Sequence, residues 1–137
     1  MKAKAVIFDI DGTIANTQHR SPFDWELLIH DIPHQDIVDL LKDFNTAGFY
    51  ILLVSGRPRH TRKDTSYWLR KYAIPWDKIF LRERGDPRAS STIKEKIYTE
   101  KIEPFYYVKY VFEDRDADVK KWRSLGLRTL QVAPGKF

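Results

Sequence analysis

The chain contains no cysteine, which excludes disulfides, thiolate zinc sites and cysteine nucleophiles. It has no apolar run of membrane-spanning length. Asp9 and Asp11 interrupt the apolar stretch near the N-terminus, so no signal-peptide core forms there. Internal repeats and low-complexity tracts are absent too. What remains reads as a soluble, intracellular chain of 137 residues, a single domain over 1–137. Lysine and arginine number 24 against 19 acidic residues, a formal charge of +5. A polyanionic partner is chemically compatible with that balance.

The most informative stretch is Lys4-Ala5-Val6-Ile7-Phe8-Asp9-Ile10-Asp11-Gly12-Thr13. Continuous apolar character predicts a strand buried on both faces, as in a parallel sheet covered by helices. Ligands of open α/β sheets bind beyond the carboxyl ends of the strands. Asp9 and Asp11 stand at that edge, on one side of an extended chain. Two carboxylates so close repel each other, and a bound cation relieves the repulsion.

Strand and helix patterns then alternate. A polar connection from Ile14 to about His34 leads to a helix with Ile37, Leu40, Leu41 and Phe44 on one face, stopped at Gly48. Phe49 to Ser55 is a second buried strand, broken by Gly56, Arg57 and Pro58. Thr61 to Ala73 reads as a helix carrying Trp68, Leu69 and Tyr72. Lys78 to Leu81 is a third strand, and Thr92 to Ile102 a helix ended by Pro104. Val108 to Phe112 is a fourth strand, running into Glu113-Asp114. Asp116 is the expected N-cap of a helix carrying Val119, Trp122 and Leu125. Leu127 to Val132 supplies a fifth strand. The alternation predicts a single three-layer, Rossmann-like α/β domain with a five-stranded parallel sheet.

Several strand ends and adjacent segments each deliver a polar group: Asp9 and Asp11, Ser55, Lys94, then Glu113 and Asp114. The carboxylates offer hard oxygen ligands suited to Mg²⁺. Ser55 can donate to a phosphoryl oxygen and Lys94 can neutralise charge beside it. In this order the chain resembles haloacid dehalogenase superfamily phosphohydrolases, with Asp118 downstream of the last motif. A closer resemblance is to the 3′-phosphatase domains of bacteriophage polynucleotide kinase/phosphatases. It rests on residues 20–25, 54–57, 84–88, 114–115, 122–123 and 131–137.

That resemblance implies a mechanism. Asp9 attacks phosphorus to form an aspartyl-phosphate, and Asp11 protonates the leaving oxygen and later activates water. Asp9, Asp114 and the backbone carbonyl of Asp11 hold Mg²⁺, with Glu113 acting through metal-bound water. Ser55 and Lys94 bind the phosphoryl group; Arg20 and Arg57 serve the substrate. The expected activity is removal of 3′-phosphates, with 2′,3′-cyclic phosphates as a further substrate, from DNA or RNA ends in nucleic-acid repair. A cytoplasmic location is expected, the host cytoplasm if the chain is of phage origin.

The connections after the first and third strands, roughly twenty and about ten residues long, leave no room for a large cap domain. An open site favours a large substrate such as a nucleic-acid end. No Gly-x-x-x-x-Gly-Lys-Ser/Thr loop occurs, so no kinase activity is expected. The alternatives are a small-molecule nucleotide phosphatase and a non-catalytic nucleic-acid-binding module on the same scaffold. Segments 57–63 and 82–88 read either as a phosphate-backbone track or as ordinary charged faces. Among the tryptophans, Trp25 is the best placed to stack on a base. Pro33 disrupts the i,i+4 spacing of His30 and His34, which speaks against zinc.

Overall fold

In the computed structural model, which describes residues 2–137, five parallel strands form the central sheet. They are β1 (Ala3–Phe8), β4 (Tyr50–Pro58), β5 (Lys78–Arg82), β6 (Tyr106–Glu113) and β7 (Thr129–Gln131), in spatial order β5-β4-β1-β6-β7. From β1 the chain moves outward through β4 to β5, then returns across the sheet to β6. The strand order therefore reverses at the boundary between β1 and β6, where a crevice opens at the carboxyl edge.

Period-two alternation decides which helices cover which face. Val6, Phe8, Ile51 and Leu53 point to one side, where Val38 and Leu41 of α1 (Gln35–Thr46) and Trp68 and Leu69 of α2 (Arg62–Lys71) cover them. Ala5, Ile7, Leu52 and Val54 point to the other. There they meet Ile93 and Ile97 of α3 (Ser90–Ile97) and Trp122 of α4 (Asp116–Ser124). Ala5 to Phe8 are wholly buried, as a central strand covered on both faces requires. Phe8 stacks on Phe112, centroids 4.6 Å apart, and locks β1 to β6 at their carboxyl ends.

The structure departs from the sequence reading in five places. β4 runs through Gly56 and Arg57 to Pro58, which pairs with Arg82 after a register shift beyond Val54. Proline is tolerated there because the ladder is already irregular. The connection before α1 has structure of its own. β2 (Ala15–Asn16) pairs antiparallel with β3 (Ile32–Pro33) around a 3₁₀ segment, Trp25–His30. α3 begins at Ser90, and residues Tyr98–Ile102 continue it as a wider π-type turn. The cap of α4 is Arg115; Asp116 is its first helical residue and accepts a hydrogen bond from Gln131 Nε2 at 2.6 Å. β7 is shorter than expected, three residues long. No described helix is long and apolar enough to cross a membrane.

Candidate active site

Ile10 is fully buried, so its neighbours Asp9 and Asp11 face out of the sheet edge. The Ile10 carbonyl accepts hydrogen bonds from the backbone N–H groups of Thr13, Ile14 and Ala15 at 3.0–3.1 Å, winding the chain into a tight loop. Gly12 sits in that loop at φ +84°. A Cβ there would lie 2.0 Å from Asp114 Oδ2, so only glycine allows β1's loop to rest against the end of β6.

Two charged clusters result. In the first, Lys94 Nζ lies 3.0 Å from Asp9 Oδ1, 2.8 Å from Glu113 Oε2 and 2.9 Å from Asp118 Oδ2. All four residues are buried. Trp122 Nε1 donates to Glu113 at 3.1 Å, Ser90 Oγ to Asp118 at 2.9 Å, and Thr13 Oγ1 to Asp9 at 3.2 Å. Burial opposes the charge on Lys94, but Asp9, Glu113 and Asp118 outweigh it and hold its pKa well above the ordinary lysine value.

Asp9, Glu113 and Asp114 each present a carboxylate oxygen, all within 4.8 Å of one another. Burial and then the charge of Glu113 push Asp9 well above the usual carboxylate range, against the pull of Lys94. Burial likewise raises Asp114 to about 6, outweighing its contact with Asp9, and Glu113 adds to the rise. This strained group of hard oxygen donors fits a small dication, which stabilises the ionised forms that burial and mutual repulsion disfavour.

The second cluster surrounds Asp11. Arg57 Nε and Nη2 donate to Asp11 Oδ1 at 3.0 and 2.6 Å, and Arg20 Nη2 reaches the same oxygen at 3.3 Å. Both guanidiniums also bond Asp31, a wholly buried carboxylate: Arg20 at 2.9 and 3.1 Å, Arg57 at 3.1 Å. His19 Nε2 stands 2.6 Å from Asp31 as well. For Arg20, these hydrogen bonds and charges overcome burial and raise its pKa. Asp11 Oδ2 carries none of these bonds, and the side chain remains about a third exposed.

The structure thus divides the residues singled out in the sequence. Asp9, Lys94, Glu113, Asp114 and Asp118 form the first cluster, while Asp11, Arg20 and Arg57 form the second. Ser55 is buried on β4, two residues past Leu53, the partner of Phe8, and its Oγ accepts the Arg57 backbone N–H at 3.0 Å. Asp11's carboxylate faces the arginines and stands outside the three-carboxylate group. Trp25 is half-buried, with the Arg20 guanidinium 5.3 Å from its ring centroid. His30 and His34 join no metal-competent group among the described residues. Asp31 was missed. Its partners lie 11, 12 and 26 residues away, and no periodicity or motif connects them.

A cleft of about 330 Å³ opens beside this site, with Asp11, Gly12, Arg20 and Asp114 in its wall. A larger one, about 810 Å³, lies at the tips of β4 and β5.

Compared with known proteins, residues 3–137 match the family model described as the polynucleotide kinase PNKP phosphatase domain. A putative bifunctional polynucleotide kinase/RNA ligase of Autographa californica nuclear polyhedrosis virus is 31% identical over 130 residues, 93% of this chain and 19% of that protein. A chain in the solved structure of the Pnkp1/Rnl/Hen1 RNA repair complex superposes with a TM-score of 0.96 at 33% identity. That match covers 99% of this chain and 44% of the other. A class C acid phosphatase from Bacillus anthracis, solved with tungstate bound, shares the fold alone. Its TM-score is 0.73 at 19% identity, over 99% of this chain and 68% of that one. The chain therefore spans about a fifth of the viral relative and under half of the repair-complex chain.

Proposed function

The chain belongs to the family of polynucleotide kinase PNKP phosphatase domains, on a haloacid dehalogenase fold, and from that premise we propose that it removes 3′-phosphates from polynucleotide ends. The observation that supports this most directly is the different setting of its two leading carboxylates. Asp9 is buried against Lys94, a fixed position suited to a nucleophile. Asp11 has one oxygen held by two arginines and the other without a partner, a posture suited to proton transfer.

Asp9 Oδ attacks phosphorus as the bond to the 3′ oxygen breaks, and Asp11 Oδ2 delivers a proton to that oxygen. Asp11 then takes a proton from water, which attacks the aspartyl-phosphate and releases inorganic phosphate with Asp9 restored. Ser55 and Lys94 bind the transferring phosphoryl group. Arg20 and Arg57 serve the substrate through the positive charge they place beside Asp11. Asp9, Glu113 and Asp114, with the Asp11 backbone carbonyl, are the residues that would hold Mg²⁺, which when bound neutralises phosphoryl charge. The relatives named for RNA ligation and RNA repair support RNA ends as substrates and a place in nucleic-acid repair.

The test is phosphate release from a 3′-phosphorylated oligonucleotide, run beside a 5′-phosphorylated one, free 3′-nucleotides and an RNA ending in a 2′,3′-cyclic phosphate. Selective, Mg²⁺-dependent release that falls more than about a thousandfold in Asp9→Asn is expected. Hydrolysis of mononucleotides alone would make the chain a small-molecule phosphatase. Binding without turnover would make it a recognition module.

A further inference from the structure

The larger cleft, at the tips of β4 and β5, is lined by Pro58, Arg59, His60, Arg82, Arg84 and their neighbours. None of these residues takes part in the chemistry above. We propose that this cleft is a backbone subsite, holding phosphodiester groups of a single strand 5′ to the terminal phosphate. The inference deepens the 3′-phosphatase reading and rests on it.

Three observations carry it. The first is charge: three arginines line the cleft with one acid, Glu83. Glu83 is shared between Arg59 at 3.5 Å and Lys101 at 3.6 Å, both exposed pairs. Arg84 is exposed and makes no ion pair or side-chain hydrogen bond among the described residues, nor does His60. A guanidinium without a protein partner at the wall of a concave surface suits a polyanion that supplies one.

The second is position. Pro58 lies on the same strand as Ser55, three residues on, a distance of about 10 Å for an extended chain. The cleft therefore begins within a short reach of the proposed phosphoryl site. The third is preorganisation. Arg82 is used up as a tie: its guanidinium donates to the carbonyls of Gly56, Asp86 and Arg88, at 3.1, 2.9 and 2.5 Å. Gly56 lies between Ser55 and Arg57. Asp86 closes the turn by accepting from the Arg88 backbone at 3.1 Å and from its guanidinium at 2.9 and 2.7 Å. The turn that presents Arg84 is thus fastened to the end of β4, which carries the phosphoryl-binding serine.

The test uses the Arg59→Ala/Arg84→Ala double variant, with kcat/KM measured on a 3′-phosphorylated ten-nucleotide strand and on a 3′-mononucleotide. The loss on the strand is expected to exceed the loss on the mononucleotide by about tenfold, with the log–log salt slope falling by about 1.4, roughly 0.7 for each arginine removed. Fluorescence anisotropy with the labelled strand provides a readout independent of turnover. Weaker binding and a shallower salt slope support the subsite even if no phosphate is released, in which case the 3′-phosphatase reading alone falls. Equal strand affinity and equal salt slope in the double variant and the parent overturn the subsite, whatever the catalytic result.

Discussion

At the scale of single residues, two glycines with similar backbones have different consequences. Gly12 and Gly48 both sit at positive φ, +84° and +91°. A Cβ on Gly48 meets nothing within 4 Å, whereas one on Gly12 collides with the Asp114 carboxylate. Gly48→Ala therefore incurs only the backbone penalty, about 1 kcal/mol of stability, and retains activity. Gly12→Ala carries the same backbone penalty and must also displace a proposed metal ligand. It is expected to lose more than about a hundredfold in kcat, and to lose any Mg²⁺ dependence of its melting temperature. Urea unfolding and Mg²⁺ titrations of the two variants side by side check this. Equal behaviour would mean that contact between Gly12 and Asp114 does not position the carboxylate.

At the scale of elements, the segment between β1 and α1 is what the sequence concealed. Its β2–β3 pair is two residues per strand, too short for alternation to be visible. Its role emerges only in three dimensions, where it brings Arg20 and Asp31 against Arg57 of β4. Arg57 in turn donates to Thr65 of α2 at 3.0 Å, and Trp68 of α2 donates to the Asp31 carbonyl at 2.8 Å. The central strands were legible because burial on both faces leaves an unbroken apolar run. Asp9, Asp11, Glu113 and Asp114 were legible because they follow such runs directly. Asp31 follows none, and the Gly-Arg-Pro at the end of β4 resembled a break because proline signals do not reveal an irregular ladder. Asp31→Ala leaves two guanidiniums without their buried counter-charge. It should cost about 3–5 kcal/mol in urea unfolding and slow turnover by freeing Asp11 to move. A stability change below about 1 kcal/mol would show that Asp11 alone balances the arginines.

At the scale of the whole molecule, a protein of formal charge +5 gathers its buried acids at the one edge where the strand order reverses. Four carboxylates gather there around a single lysine that bonds three of them, Asp9, Glu113 and Asp118. In metal-free buffer this arrangement works against the fold. The folded-state pKa of Asp114, about 6, exceeds the 3.8 of a freely solvated aspartate. Between those values the native state binds more protons than the unfolded one, so stability falls as pH rises through that window. Asp9, raised chiefly by burial and the charge of Glu113, adds to the fall. The proposed Mg²⁺ would bind the ionised carboxylates, so its stabilising effect should grow across the same window. At a concentration 100 times its dissociation constant it adds about 2.7 kcal/mol, roughly 8–10 °C in melting temperature for a chain this size. Asp114→Asn removes one of the repelling charges and one proposed metal ligand together. Calorimetry should find it more stable than the parent in EDTA at pH 7, with a flatter pH profile, and little changed by Mg²⁺. A variant less stable than the parent in EDTA would mean that hydrogen bonding at Asp114 outweighs repulsion, and that the acidic edge is held together without a cation.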